Sequence, residues 1–168
     1  MTQEFAPASA ESRPGPRGIA VRPVRADDHD AWLGLWRGYQ AFYRVNISEE
    51  TSRTTWRRLL DPAEPMHGAV AVIDGGCVGL VHHIRHRSCW TEGDYCYLQD
   101  LFVDPAARGR GIGRRLIEHV YDSASAAGCA RVYWLTHETN REAMLLYDRI
   151  AERSGFVQYR KTLAAPSG

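Results

Sequence analysis

One segment near the middle of the chain, Arg108-Gly109-Arg110-Gly111-Ile112-Gly113, constrains the fold more than any other. It follows an apolar stretch, Tyr95–Val103, and precedes apolar residues that recur at helical spacing as far as Ala124. Three glycines allow a close approach of backbone to ligand, and the first amides of a helix lack partners and carry partial positive charge. The segment therefore predicts a strand, an anion-binding loop and a helix, in that order.

In the remaining residues, stretches with the two-residue apolar period of a strand alternate with stretches that have the 3.6-residue period of a helix. This pattern predicts an α/β fold with a mixed, mostly antiparallel sheet flanked by helices. Residues 1–17 are rich in proline and are interpreted as a disordered leader, which leaves residues 18–168 as one domain. The predicted strands are 19–24, 69–73, 78–84, 95–103, 131–135 and 156–163. The predicted helices start after Asp27 or Asp28, near Ser48, at Ile112, and at a capping box in Thr139-Asn140-Arg141-Glu142.

Charge and composition limit the kinds of partner that the chain is expected to bind. The 21 basic and 20 acidic side chains give a formal charge of +1, which does not favour nucleic acid as a partner. The longest apolar runs, such as residues 69–73, fall far short of the roughly 18 residues of a membrane span, so no membrane partner is predicted. The four cysteines lack CxxC spacing and are expected to be reduced, which favours a cytoplasmic location.

Other phosphate-binding motifs fit the glycine-rich segment less well. A dinucleotide motif that starts at Gly109 would place Arg114 where it requires glycine or alanine, and no Gly-Lys-Ser/Thr follows for a nucleotide-triphosphate loop. Arg108, Arg110, Arg114 and Arg115 crowd a helix start whose dipole disfavours positive charge, and a bound pyrophosphate would resolve that conflict. A glycine-rich loop with solvated arginines stays open as the simpler interpretation of the segment alone.

Arg108, Gly111 and Gly113 resemble the Arg/Gln-x-x-Gly-x-Gly/Ala signature of the GNAT N-acetyltransferase superfamily. Residues 132–134 and the spacing of Gly155-Phe156 make the likeness strongest to the yeast histone and polyamine acetyltransferase branch and its bacterial relatives. The resemblance implies acetyl-CoA as cofactor, a splayed central strand and a homodimer or higher homo-oligomer. The cofactor-binding residues that it implies are Leu101, Phe102 and Val103 on the strand, Arg108, Gly109, Arg110, Gly111, Ile112, Gly113 and Arg114 in the loop, and Asn140.

The resemblance further implies direct attack of a primary amine on the acetyl thioester, with Tyr147 as general acid. An unperturbed phenol has a pKa of about 10, so it keeps its proton at neutral pH and can give it to the leaving sulfur. Gln99 occupies the position where some relatives carry a glutamate, and an amide is no base. The general base stays open among Asp100, Glu138 and a chain of waters. Strand alternation is expected to direct Asp100 to the opposite face of the sheet from Gln99. A backbone amide near Phe102 or Val103 is the implied carbonyl polariser.

The first predicted helix carries a stripe of aromatic side chains, which we expect to form the wall of the acceptor site. Trp36 is expected in the core, and Tyr39 or Tyr43 is expected to face the substrate. His82, His83 and His86 lack the partners of a metal site, so no metal is predicted. The expected acceptor is a small-molecule or peptide amine: a polyamine, an amino acid, a lysine side chain or a small cationic metabolite. A non-catalytic acyl-CoA-binding or sensing module is the alternative.

Overall fold

A five-stranded sheet runs through the part of the chain that the computed structural model describes, residues 18–163. The predicted leader lies outside the described residues. The first four strands pair antiparallel and the last pair is parallel, which confirms the predicted mixed sheet. In spatial and chain order the strands are β1 (Ala20–Pro23), β2 (Met66–Ile73), β3 (Gly76–His86), β4 (Tyr95–Val103) and β5 (Arg131–Trp134).

Four helices accompany the sheet in residues 18–163: α1 (His29–Tyr43), α2 (Glu49–Leu60), α3 (Ile112–Ala126) and α4 (Arg141–Ile150). Ser48 caps α2 as predicted, because its hydroxyl accepts a hydrogen bond from the Thr51 amide at 3.0 Å. Asp28 occupies the N-cap position of α1, but its carboxylate accepts from the Arg22 guanidinium at 2.6 and 2.7 Å and so ties the helix start to β1. None of the described helices is long and apolar enough to cross a membrane.

The β2–β3 connection is a tight hairpin. Asp74 and Gly75 both adopt positive φ, 48° and 81°, as two-residue turns between antiparallel strands require. The turn joins the predicted strands 69–73 and 78–84, and one of its two positive φ values falls on a residue with a side chain, Asp74. Asp is one of the few residues with a side chain that adopts this conformation readily.

Helices cover both faces of the sheet. Leu80 belongs to a buried cluster with the aromatic residues of α1 and α2, whereas its neighbour Gly79 faces Ile112 and Leu116 of α3. Neighbours in a strand point to opposite faces, so α1 and α2 pack on one face and α3 on the other. The cluster on the first face comprises Trp32, Leu35, Trp36, Trp56, Leu59, Leu80 and Phe102, each less than a tenth exposed.

The described residues divide into two compact units between Leu135 and Thr136, and the second unit contains α4. Ala143, Met144, Tyr147 and Ile150 of this helix are half-buried, whereas Ala151 is exposed. The predicted capping box is wrong: Asn140 is the N-cap residue and no side chain caps the helix, while the Thr139 hydroxyl lies 2.7 Å from His137 Nδ1.

The predicted terminal strand is also wrong, since the described residues after α4 form neither helix nor strand. A strand needs a neighbouring strand to satisfy its amides and carbonyls. The alternation of apolar residues in this segment therefore predicted a strand for which the described structure provides no partner.

Candidate functional site

The loop between β4 and α3 has the backbone conformation that the glycines predict. The Asp104 carboxylate accepts from the Ala106 amide at 2.8 Å and starts a short turn, Pro105–Ala107, that leads into the loop. Gly109 and Gly111 then adopt φ of 73° and 77°, and Gly111 is the N-cap residue of α3. A side chain at either position would strain the backbone, because L-residues rarely adopt positive φ.

The amides of this loop point to an anion. Among residues 18–163, none accepts a hydrogen bond from the backbone N–H groups of residues 109–114, whereas the Arg115 amide already donates to the Gly111 carbonyl at 3.2 Å. The loop also stands at the positive end of the 15-residue helix α3. Unfilled amides at a helix start form a site for a phosphate or carboxylate.

The arginines are less crowded than the sequence suggested. Arg114 pairs with Glu118 one turn along α3 at 2.7 Å, and Arg115 donates to the Ile19 carbonyl at 3.2 Å. Arg108 donates from Nε to the Val103 carbonyl at 3.2 Å. Arg108 and Arg110 are exposed beside the loop amides, so positive charge remains where the anion would bind.

The strand that enters the loop has an open edge. β4 pairs with β5 only from Tyr95 to Leu98, whereas its pairing with β3 continues to Val103. The Asp104 amide donates to the Val78 carbonyl, so by antiparallel alternation the backbone groups of Leu101 and Val103 face the open edge. β5 ends at Trp134, opposite Leu98, so β4 beyond Leu98 has no strand partner on this side, as the predicted splay expects. The backbone groups of Leu101 and the Val103 amide can therefore pair with an extended ligand, whereas the Val103 carbonyl already accepts from Arg108.

A β-bulge interrupts the same strand. The pairing with β3 passes from His82 opposite Asp100 to His83 opposite Leu98, so Gln99 is an extra residue without a partner. The expected alternation of Gln99 and Asp100 is therefore wrong, and both residues line one cavity of about 130 Å³. The other residues that line this cavity are Trp36, Ile47, Thr51, Thr55, Met66, His82, His83 and Ile84.

The aromatic stripe of α1 runs beside this cavity. Trp36 is 4% exposed and belongs to the core, as predicted, and its ring stacks on Tyr39 at a centroid distance of 5.1 Å. Burial, together with the charge of the nearby Asp100, raises the pKa of Tyr39 well above its ordinary value. Tyr43 packs against Tyr39 at 4.8 Å and is partly exposed. Tyr39 is thus the aromatic residue of the stripe whose hydroxyl feels the charge of an acidic group of the cavity.

The second unit carries the other predicted site residues. Asn140 precedes the first turn of α4 and donates from Nδ2 to the Thr136 hydroxyl at 3.2 Å. Tyr147 lies two turns further along and is half-buried, and Glu138 is exposed.

The three histidines of β3 lie in different surroundings. His82 is buried against Trp32 and Asp100, whereas the Nδ1 of His83 lies 3.5 Å from the sulfur of Cys96. Burial lowers the pKa of His83 to about 3, so this imidazole is neutral at physiological pH. His86 contacts the Tyr133 hydroxyl at 2.9 Å. Within residues 18–163, no group of three or more His, Cys, Asp or Glu side chains is arranged to hold a metal ion.

Sequence reasoning missed Trp32 and His82 as residues of the site. The sequence led us to consider His82 only as a possible metal ligand. Pairing the predicted strands β3 and β4 with each other would have placed His82 opposite Asp100 and so indicated its role. The Trp32 contact had no such signal, because the two residues are 50 positions apart.

Comparison with known proteins gives this arrangement a context. Residues 32–151 match the Acetyltransferase (GNAT) family. The chain is 36% identical to the D-amino-acid N-acetyltransferase HPA3 of Saccharomyces cerevisiae over 145 residues, which cover 85% of this chain and 90% of the yeast protein. It is 29% identical to the thialysine N-epsilon-acetyltransferase of Caenorhabditis elegans, over 80% of this chain and 82% of that protein.

Solved structures share the fold at lower identity. An aminoglycoside N-acetyltransferase, AAC(6')-Iy, in complex with CoA superposes with a TM-score of 0.75 at 18% identity, over 89% of this chain and 99% of that chain. An aminoglycoside acetyltransferase from a soil metagenomic sample gives a TM-score of 0.75 at 21% identity, over 89% and 99% of the two chains. At these identities the likeness establishes the fold alone.

Proposed function

The chain belongs to the GNAT acetyltransferase family and is an acetyl-CoA-dependent N-acetyltransferase, and we propose that it acetylates a primary amine held in the cavity beside β4. The amine is a polyamine, an amino acid, a lysine side chain or another small cationic metabolite. The observation that carries this proposal is the continuity of three features along one strand: the bulge at Gln99, the open edge to Val103, and the amide-lined loop that follows.

The residues present fit acetyl-CoA. The amides of Gly109 to Arg114 and the exposed guanidinium groups of Arg108 and Arg110 suit its pyrophosphate, and the open edge of β4 from Leu101 to Val103 suits the amides of its pantetheine arm. Asn140 is the proposed contact from α4. When bound, acetyl-CoA supplies the activated acetyl group that the amine attacks.

The cavity fits an amine that carries a positive charge. Asp100 is 5% exposed and contributes its carboxyl group, and Trp36, on which Tyr39 stacks, contributes a ring on which the stem of a cationic amine can pack. Gln99 and Tyr43 are proposed as further contacts at its rim. The yeast and nematode relatives are named for amino-acid and thialysine substrates, which is in keeping with amino acids among the acceptors.

Proton transfers are assigned to few groups. We propose that Tyr147 is the general acid, whose hydroxyl protonates the departing sulfur. The amine must lose a proton before it attacks, and Asp100, Glu138 and a water chain are the candidate routes for that proton. The backbone N–H of Val103 faces the open edge of β4, whereas by alternation that of Phe102 faces β3, so Val103 is the better candidate to polarise the acetyl carbonyl.

We further propose that the chain forms a homodimer or a higher homo-oligomer. Beyond α4, Val157, Tyr159 and Leu163 are 75%, 92% and 79% exposed, and Leu145 of α4 is 65% exposed. Burial of such apolar area against a second copy would be favourable. Light scattering on the full chain should give a mass above that of one copy, and Tyr159→Glu should lower it. A monomeric parent at micromolar concentration would contradict this proposal.

A cytoplasmic location is also proposed, because all four cysteines are free thiols, as a reducing compartment allows. Nucleic acid is not among the proposed partners, since Arg114 and Arg115 are already engaged within the protein.

The enzymatic role is tested by release of free coenzyme A from acetyl-CoA in the presence of spermidine, L-lysine, D-lysine or ethylamine. Tyr147→Phe should slow turnover by about 100-fold or more with unchanged affinity for acetyl-CoA, because it removes the hydroxyl that protonates the sulfur. Tyr159→Phe, at an exposed position, is the matched control and should behave as the parent. Binding of acetyl-CoA without release of coenzyme A with any amine would favour the sensing module instead.

A further inference from the structure

His82 and Asp100 form a buried pair at the bulge between β3 and β4. Their side chains are 3% and 7% exposed, and His82 Nδ1 lies 3.0 Å from an oxygen of the Asp100 carboxylate. The other ring nitrogen, Nε2, lies 2.8 Å from Nε1 of Trp32. Trp32 is fully buried in α1, so this chain of contacts joins the helix to the wall of the acceptor cavity.

The tryptophan decides where the imidazole carries its proton. An indole N–H can only donate a hydrogen bond, so Nε2 of His82 must accept and carries the lone pair. The single proton of the ring therefore resides on Nδ1 and is donated to Asp100. His82 is neutral in this arrangement, and it cannot take a proton from Asp100 because its only acceptor atom is held by Trp32.

Asp100 is a buried carboxyl group without a cationic partner among the described lysine and arginine side chains. It accepts a hydrogen bond from the neutral imidazole of His82, and the phenol of Tyr39, which lies near it, keeps its proton because its pKa is raised. No lysine or arginine in residues 18–163 forms an ion pair with it. A buried anion is costly unless a positive charge offsets it. The missing cation is one that a ligand in the adjoining cavity can supply.

We propose that His82, fixed by Trp32, is a positioning residue that holds the Asp100 carboxyl group directed at the acceptor cavity, so that the enzyme selects acceptors that arrive as ammonium ions and pair with it. The inference rests on the proposed function, because it assigns the acceptor amine to this cavity. His82 acts through Asp100 and does not itself exchange a proton with the substrate.

The tautomer of His82 is measured first, by NMR of the ¹⁵N-histidine-labelled parent protein, and this measurement requires no turnover. We expect a neutral ring with its proton on Nδ1, and a partial shift to other forms in Trp32→Phe, which removes the donor. A proton on Nε2, or a doubly protonated ring at neutral pH, would overturn the inference. Failure of the amine panel would overturn the proposed function and leave this tautomer result as it stands.

Kinetics test the positioning role with the best acceptor among spermidine, L-lysine, D-lysine and ethylamine. His82→Leu should raise the KM of the amine about 10- to 100-fold, as expected for the loss of one hydrogen bond to a charged group, and leave the KM of acetyl-CoA unchanged. His82→Asn should recover most of this loss, because its amide nitrogen can take the place of Nδ1–H. Equal increases in both KM values, or an asparagine variant no better than leucine, would contradict the role. If His82→Leu does not fold, the asparagine and Trp32→Phe variants still decide the question.

Discussion

Replacement of Gly111 by alanine tests whether the loop between β4 and α3 is the coenzyme site. Gly111 has φ of 77°, and a left-handed backbone costs an L-residue about 1–2 kcal/mol. No described residue accepts a hydrogen bond from the loop amides 109–114, so little holds this conformation in the free protein. In Gly111→Ala the free loop should relax, and the cost should reappear when the coenzyme binds. We expect the Kd for acetyl-CoA to rise about 5- to 30-fold with little loss of folding stability.

Gly128→Ala is the matched control. Gly128 has a similar φ of 71° and open space around a Cβ, but it follows α3 at the end opposite the loop, and its amide donates to the Ser125 carbonyl at 3.0 Å. Its strain should appear in the free energy of unfolding and leave coenzyme affinity unchanged. Calorimetric titration with acetyl-CoA and urea unfolding of both variants separate the two effects. The reasoning is refuted if Gly111→Ala loses stability as Gly128→Ala does and binds acetyl-CoA as the parent does.

Two further predictions concern stability. Hydrogen bonds from Arg22 lower the pKa of Asp28 below its ordinary 3.8, so the pair stabilises the fold above that pH, and the stabilisation is lost as pH falls through the depressed pKa. Asp28→Asn should therefore cost about 2–4 kcal/mol of unfolding free energy at neutral pH and weaken the fall of the urea midpoint as the pH is lowered. A urea midpoint that falls with pH as steeply as in the parent would contradict this prediction. An added Cβ at Gly38 would lie 2.7 Å from the Phe102 ring, so Gly38→Ala should cost about 1–3 kcal/mol in thermal unfolding, whereas Gly34→Ala in the same helix, where a Cβ meets open space, should stabilise by about 0.5–1 kcal/mol. Equal effects of the two glycine variants would show that the close approach is not what matters.

Most features of the proposed cofactor site, the end of β4 and the loop before α3, could be predicted from the sequence. Glycines that must take positive φ, a strand that ends at a proline turn, and a helix with an apolar face are local patterns, and each was found where the sequence placed it. β4 ends at Val103, directly before Asp104 and Pro105, and α3 ends at Ala126, two residues before Gly128. Hydrogen bonding and backbone sterics between near neighbours decide such features.

The acceptor half depended on contacts between distant segments. The bulge at Gln99 arises from the register of β3 against β4, and it overturned the alternation that a single strand predicts. The segment 156–163 has a strand-like pattern without a strand partner in the described structure. Trp32, His82 and Asp100 meet only because α1 packs on a sheet whose strands join residues 18 positions apart. Sequence thus determined the cofactor loop through short-range geometry, whereas the buried carboxyl group of the proposed acceptor site is placed only once long-range pairing has brought its partners together.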